Sequence, residues 1–231
     1  WRRKNRPGIR EAVVHLQALQ STSPRARMWA LACSGQLAFD EHQDDASLSL
    51  VTQAREQAQA LGETEVVVWT SSMEAHSHAL LNRPQQALDG GRRCMALADA
   101  LPHSVFSLGA VFNVGGALEL CGYLAESAEA LRRAEDAFRV LDDPAAVADV
   151  QCFQSILAYH TGHLGEAVEL LTRGRQALAE INGGVAEVHT PVIFQGRYWR
   201  DQGRLAEALA LLEDGHQRTA GRLSVEPPQR G

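Results

Sequence analysis

The stretch that decides the fold is GHLGEAVELL, from Gly162 to Leu171, together with its counterpart GRLAEALALL, from Gly203 to Leu212. Each predicts the end of one helix, a tight turn, and the start of a second helix with alanine and leucine on one face. Weaker copies begin at Gly122, Asn82 and Glu41. The five starts are separated by 41, 40, 40 and 41 residues. A fixed period of this size is typical of helical repeat arrays.

Around these turns the hydrophobic periodicity predicts paired helices and no strand. The first helices of the pairs are expected over 25–40, 65–81, 104–121, 145–161 and 186–202, and the second helices over 43–61, 84–101, 124–141, 164–181 and 205–219. The five pairs therefore occupy 25–62, 65–102, 104–142, 145–182 and 186–219. Residues 1–20 are interpreted as the remnant of a preceding repeat, with a helix over Arg10–Leu19, and 220–231 as a tail. We expect a single all-α domain over 1–231, a right-handed superhelical solenoid of hairpins with about 40 residues per repeat.

Aligning the repeats places small residues where the two helices of a pair cross. The alignment is anchored in the second helices at Ala46, Ala87, Ser127, Ala167 and Ala208, and twelve residues earlier stand Ser34, Ala75, Gly115, Ser155 and Gly196. A larger side chain at the crossing would hold the helix axes apart. Seven residues after the anchor, only Gln53 departs from a column of small residues. Large residues near the second-helix ends are expected to pack in the core: Leu61, Leu101, Leu141 and Ile181.

Composition argues against several classes of protein. Hydrophobic residues make up 45% of the chain, enough for a continuous core, and the net charge of −6 disfavours direct nucleic-acid binding. The one basic cluster, over 2–6, is interpreted as a solvated terminus. No apolar run approaches the roughly twenty residues that span a bilayer, and no basic start followed by an apolar stretch suggests a signal peptide. We therefore expect a cytoplasmic protein without membrane contact. Because the sequence begins at Trp1 rather than Met, we expect it to be a piece of a longer protein.

The residues that could carry chemistry form no recognisable set. The four cysteines have no CxxC spacing and are expected to be reduced, mostly buried residues: Cys33, Cys94, Cys121 and Cys152. Glu74 and His78 lie four residues apart on one helical face, but two ligands make no metal site. The P-loop, GxSxG and HExxH motifs are absent. We expect no cofactor and no metal, and an enzyme is the least favoured class.

Small residues at the eighth, twentieth and twenty-seventh positions of each repeat resemble the tetratricopeptide pattern, over nearly the whole chain. The period departs from that family, whose repeats have about 34 residues. Alanine- and leucine-rich pairs of the longer length are similar to the repeat domain of large ATP-binding LuxR-type transcriptional regulators of the maltose-regulator type. The opening WRRKNRPGIREAVVHLQAL resembles the W-R-x-x-G-x-x-R-E-G-x-x-W-L segment that leads into that array. Trp1, Arg10 and Glu11 match it, whereas Ala12 and His15 depart from it.

The tetratricopeptide resemblance implies that first-helix positions line a concave surface. The candidate ligand-binding residues are therefore Trp69, Ser72, His76, Phe112, Glu119, Cys152, Tyr159, His160, Thr190, Arg197, Arg200 and Asp201. Aromatic side chains with a few polar groups suit a binding groove, and the two arginines suit a carboxylate or a phosphate. In the alternative interpretation, several of these side chains only pack between neighbouring helices.

The leading functional hypothesis is a non-catalytic sensor or interaction domain of a multidomain bacterial transcriptional regulator. Its partner would be a small-molecule effector, or a peptide or protein, bound in the concave groove. The flanking nucleotide-binding and helix-turn-helix modules that the resemblance implies are not within these 231 residues. The alternative is a general protein–protein interaction scaffold of tetratricopeptide type. The exposed ends of the solenoid are also candidates for self-association.

Overall fold

The computed structural model describes residues 6–19, 21, 23–101, 104–181 and 189–213, and every regular element among them is a helix. The chain divides into two compact units, Trp1–Val140 (unit 1) and Leu141–Gly231 (unit 2). Each unit is described by itself below, and the single domain over 1–231 stays a prediction. The all-α class is confirmed, and the hairpins are those of a tetratricopeptide-like helical repeat.

The described helices follow the predicted pairs closely. Unit 1 contains α1 Arg6–Leu19, α2 Pro24–Asp40, α3 Asp44–Leu61, α4 Thr64–Leu80, α5 Pro84–Asp99, α6 Val105–Leu120 and α7 Leu124–Val140. Unit 2 contains α8 Pro144–His160, α9 Leu164–Ile181, α10 His189–Asp201 and a further helix, α11, over 205–213. Parts of the predicted ranges lie outside the described residues, namely 1–5, 182–188, 214–219 and the tail 220–231.

Helix α1 begins earlier than the predicted Arg10. It includes Pro7 in its first turn, where a proline causes no loss because the first N–H groups of a helix have no acceptor within it. Helix α1 packs against α2. In unit 1, α4 contacts α3, α5 and α6, and in unit 2, α9 contacts both α8 and α10.

Each hairpin turns at a residue in the left-handed backbone conformation, two positions after the first helix ends. These residues have φ between 54° and 83°: His42, Asn82, Gly122, Gly162 and Gly203. The N–H of the next residue donates to the carbonyl five residues earlier, as His163 does to Ala158 at 2.8 Å. This is the Schellman arrangement, which satisfies carbonyls that the helix end would leave without a donor. The segments that resemble GHLGEAVELL therefore recur in the sequence because each one forms this turn.

The predicted register of the first repeat is wrong by one residue. Its turn residue is His42, not Glu41, so the five turns are spaced by 40, 40, 40 and 41 residues. The predicted anchor Ala46 is exposed, whereas Ser47 is fully buried and donates through Oγ to the Gly35 carbonyl at 3.0 Å. Ser127 makes the same bond to Gly115 at 2.7 Å. In the first repeat two small residues stand side by side at each of the two positions, Ser34 and Gly35 in α2 and Ala46 and Ser47 in α3. Residue type alone therefore does not distinguish the two registers.

In three of the hairpins the crossing contact joins a glycine to a larger apolar residue sixteen positions later. A Cβ added at Gly115 would lie 2.7 Å from Leu131 Cδ2, and one added at Gly196 would lie 2.8 Å from Leu212 Cγ. At Gly35 the corresponding distance, to Val51 Cγ1, is 2.5 Å. With the corrected register, the small residue seven positions after the anchor is Ala54, which is fully buried, and the Gln53 exception disappears.

The column of large residues predicted to pack near the second-helix ends is wrong. Leu61, Leu141 and Ile181 are exposed by 41%, 41% and 39%. The buried column lies three residues earlier, at Ala58, Ala98, Phe138 and Leu178. These residues follow the corrected anchors by eleven positions, about three helical turns, and so return to the same face.

Gly162 and Gly165 give a matched test of the turn. Neither glycine would bring a Cβ within 4 Å of another atom, but only Gly162 has a positive φ, of +83°. We expect Gly162→Ala to lower the free energy of unfolding by about 1–2 kcal/mol through backbone strain. Gly165→Ala, within α9, should raise it by up to about 1 kcal/mol. Urea unfolding measures both, and equal effects would contradict the assigned turn.

Gly115 and Gly109, both in α6, test the crossing contact in the same way. Gly115→Leu should lower the free energy of unfolding by about 1–3 kcal/mol, because Leu131 already occupies the space. Gly109→Leu should be neutral or stabilising, since a Cβ there meets no atom within 4 Å. An unchanged melting temperature for Gly115→Leu would count against the repeat alignment.

Candidate binding surface

Three aromatic rings from successive first helices form one cluster in unit 1. Trp29 of α2 lies 6.0 Å from Trp69 of α4, between ring centroids. Phe106 of α6 lies 5.9 Å from Trp29 and 6.1 Å from Trp69. The planes are tilted by 33° to 52°, within the range of favourable aromatic contacts. Trp69 is buried, but Trp29 and Phe106 are half-buried and present part of their rings to solvent.

The repeat register extends this cluster into a surface, here named the first-helix face of unit 1. Most of its positions recur every forty residues along α2, α4 and α6, and Phe106 and Phe112 stand three residues before and after one of them, Gly109. Its positions are Trp29, Gln36, Phe39, Asp40, Trp69, His76, Leu80, Phe106, Gly109, Phe112, Glu119 and Leu120. Two leucines at equivalent positions, Leu80 and Leu120, are exposed by 41% and 53%. The face therefore combines packed aromatic rings with apolar side chains that water still reaches.

Candidate residues on α4 divide between this face and the core. The ring of His76 meets Phe39 edge-on, with 5.0 Å between centroids. Burial lowers the pKa of His76 from 6.5 to about 4, so the imidazole is neutral at pH 7. Ser72 is fully buried and donates to the Trp69 carbonyl at 2.7 Å. Its hydroxyl is engaged inside the helix and does not face a ligand.

Two further candidates in unit 1 lie on α6. Phe112 is half-buried, whereas Glu119 is buried, with 8% of its surface exposed. Burial and the nearby Glu119 carboxylate raise the pKa of the Cys121 thiol, at the end of the same helix.

In unit 2 the candidate polar residues meet around one tyrosine. The Tyr159 hydroxyl donates to Asp201 Oδ2 at 2.6 Å, and Arg200 Nε donates to Asp201 Oδ1 at 2.7 Å. The hydrogen bond to Asp201 raises the pKa of Tyr159. The bonds from Arg200 and Tyr159 lower the pKa of Asp201. The Tyr159 ring stacks on the buried Tyr198, with 4.9 Å between centroids.

The remaining unit 2 candidates have different surroundings. Arg197 is exposed and lies over the Phe194 ring, with 5.5 Å from its guanidinium carbon to the ring centroid. His160 is exposed and contacts the Tyr159 ring. Cys152 is buried against α9, where a Cβ added at Gly174 would lie 2.7 Å from its sulfur. The Thr190 side chain lies outside the described residues.

The cysteines and the Glu74–His78 pair show no reactive arrangement. All four thiols are free, and burial raises the pKa of Cys33 to about 11 and those of Cys94 and Cys152 to about 12. The Glu74 carboxylate accepts from Arg55 Nε at 2.9 Å, so a cation already neutralises it. No group of three metal-ligating side chains occurs in the part of the chain that the structure describes.

Sequence reasoning missed the aromatic partners of the candidates. Trp29 stands forty residues before Trp69, and the corrected register assigns both Trp29 and Phe39 to the face. Phe106 lies one turn before the position equivalent to Trp69. The Tyr198 hydroxyl donates to the Ser155 carbonyl at 2.9 Å, a contact between α10 and α8 that no local pattern indicated.

Comparisons with known proteins show the fold. No family model and no curated protein matches the chain. BtubC (BKLC) from P. vanneervenii matches with a TM-score of 0.67 and 18% identity, over 97% of this chain and 93% of that one. A Rap protein complexed with competence and sporulation factor matches with a TM-score of 0.73 and 12% identity, over 89% of this chain and 57% of that one. This chain therefore spans little more than half of the Rap protein.

A further match is a putative kinesin light chain of Podosopora anserina with nearly identical TPR-like repeats. Its TM-score is 0.57 at 15% identity, over 89% of this chain and all of that one. At such identities the likeness concerns the fold alone, which is that of a tetratricopeptide-like helical repeat protein. Among the described helices, none combines the length and the apolar composition needed to cross a membrane.

His76 predicts a pH dependence of stability. The unfolded imidazole takes up a proton near pH 6.5, whereas the folded one does so only near pH 4. The stabilising contribution is therefore complete above pH 6.5 and is lost as the pH falls through this window. For a half-buried ring we expect a loss of about 1–3 kcal/mol.

Urea unfolding at about pH 7 and about pH 4.5 measures this loss. His76→Gln should show a smaller loss between the two pH values than the unchanged protein. Since burial also lowers the pKa of His78, only the difference between the two proteins reports on His76. Equal losses would contradict the assigned burial.

Proposed function

We propose that this chain is a non-catalytic protein-interaction module that binds a segment of a partner protein on its first helices, without a cofactor. The observation that carries the proposal is the first-helix face of unit 1. Three aromatic rings from three helices meet there, and Leu80 and Leu120 stand exposed at the equivalent last positions of α4 and α6.

The chemistry of this face suits a peptide segment. Aromatic residues are enriched in the buried centres of protein interfaces, where they supply large contact areas at low cost in conformational entropy. Covering the exposed apolar area contributes about 25 cal/mol per Å².

The solved structures are consistent with this proposal. A Rap protein of related fold was crystallised in complex with competence and sporulation factor, so one protein of this architecture binds another molecule. In unit 2, Tyr159, Arg197, Arg200 and Asp201 are the proposed contacts. They offer hydrogen-bonding groups next to the stacked ring of Tyr198.

We further propose that the parent protein is a cytoplasmic LuxR-type transcriptional regulator in which this module senses an effector or a partner. What supports this version is the resemblance of residues 1–19, of which Arg10 and Glu11 lie in the described α1. If the protein has two domain arrangements, a ligand that binds the first helices more tightly in one of them would favour that arrangement. The full reading frame should encode a P-loop before this segment and a helix-turn-helix after it, and the absence of both would contradict the regulator version.

Selection from a random peptide library tests the interaction module. Peptides enriched on the immobilised chain should bind Leu80→Ser/Leu120→Ser at least about tenfold more weakly, equivalent to about 1.4 kcal/mol. The matched control is Leu205→Ser/Leu209→Ser, which changes two leucines of α11 that are exposed by 63% and 58%. Equal weakening in both variants, or no weakening in either, would contradict binding on the first-helix face of unit 1.

A further inference from the structure

Arg197 of unit 2 is exposed on its first helix and has no acidic partner among the described residues. It stands six residues before the turn residue Gly203, as His76 does before Asn82. A permanent cation therefore holds the position in α10 that a neutral imidazole holds in α4. The guanidinium carbon of Arg197 lies 5.5 Å from the centroid of the Phe194 ring. No hydrogen bond or ion pair joins its guanidinium to another side chain in the part of the chain that the structure describes.

Arg204, just before α11, shows the same arrangement with an acid in place. Its guanidinium carbon lies 4.7 Å from the centroid of the Trp199 ring. Its Nε and Nη2 donate to the two carboxylate oxygens of Glu207, at 2.8 Å and 2.5 Å. This is the bidentate pairing that a guanidinium makes best. Arg197 has the ring but not the carboxylate, so its donors are open to an acid from another molecule.

The surroundings of Arg197 favour such an acid. The attraction between a cation and an aromatic face restricts the guanidinium, so less side-chain freedom is lost when a ligand binds. Arg200 lies three residues further on, on the same side of α10, and adds a second positive charge. Asp201 already accepts hydrogen bonds from Arg200 and Tyr159. Two cations and one engaged carboxylate leave the group with a net positive charge.

We propose that Arg197 binds a carboxylate of the partner segment, from an aspartate or glutamate side chain. The guanidinium donates two hydrogen bonds to the two carboxylate oxygens, as Arg204 does to Glu207, while the Phe194 ring lies beneath it. The inference rests on the proposed function, since it names the chemical class of residue that the partner presents to unit 2.

Arginine side-chain NMR tests the contact directly. The whole chain, with ¹⁵N-labelled arginine, is titrated at low ionic strength with the capped tripeptide Ala-Glu-Ala, and capped Ala-Gln-Ala is the control. We expect the Nε–H signal of Arg197 to shift saturably with the glutamate peptide only, at millimolar concentrations. The signal of Arg204, whose carboxylate is already present, should not move. No saturable shift at Arg197, or equal shifts with the glutamine peptide or at Arg204, would overturn the proposal.

Two matched variants show whether the peptide binds at Arg197 or at any exposed arginine. Arg197→Gln should weaken binding of the glutamate peptide at least about tenfold, because it removes hydrogen bonds to a charged group. Arg173→Gln, which changes an exposed arginine of α9, should leave binding unchanged. Binding is followed through a ¹³C label in the carboxyl group of the peptide, and neither variant should alter the melting temperature. Equal binding by the two variants would overturn the proposal.

Library selection distinguishes failure of this inference from failure of the proposed function. Peptides selected on the unchanged chain should be enriched in aspartate or glutamate, and selection on Arg197→Gln should lose that enrichment. Acidic enrichment that persists on Arg197→Gln, in peptides that still depend on Leu80 and Leu120, would overturn the carboxylate site and leave the proposed function standing. Selected peptides that do not depend on Leu80 and Leu120 would instead contradict the proposed function, and the titration of Arg197 would still decide the carboxylate site.

Discussion

The close approach of the two helices in each hairpin is the constraint on which the rest of the structure depends. At Gly35, Gly115 and Gly196 the neighbouring helix comes so near that a Cβ would overlap a side chain sixteen residues later. The same contact orients the outer side of each first helix. Trp29 and Gly109 lie six residues before their glycines, so at about 100° per residue they point about 120° away from the crossing. Packing inside the hairpin thus determines which residues form the first-helix face.

The repeat was predictable because this steric constraint limits which residue types can stand at the crossing. A crossing that admits no side chain requires glycine, alanine or serine at one position in every repeat, and a left-handed turn favours glycine or asparagine. The predicted register of the first repeat is wrong because Ser34 and Ala46 are also small residues, next to Gly35 and Ser47. Hydrogen bonding and burial distinguish the two registers, and neither is visible in composition.

The candidate surface was predictable only in part. First-helix positions indicated His76 and Phe112, which are half-buried, but the candidates Trp69, Ser72, Glu119 and Cys152 are buried. The pattern of exposure that separates face from core depends on neighbouring hairpins. The ring contacts of Trp29 with Phe106, and the hydrogen bond of Tyr159 with Asp201, join residues 77 and 42 positions apart. Such contacts arise from tertiary packing, which local periodicity does not encode.

The central claim is that partner binding occurs on the first helices of unit 1, and chemical-shift mapping tests it most directly. The measurement compares NMR spectra of the chain, labelled in leucine methyl groups and aromatic rings, with and without a bound peptide from the library selection. The account predicts shifts at Trp29, Phe112, Leu80 and Leu120, on α2, α4 and α6. Shifts confined to leucines of the second helices, such as Leu61 and Leu88, would contradict it.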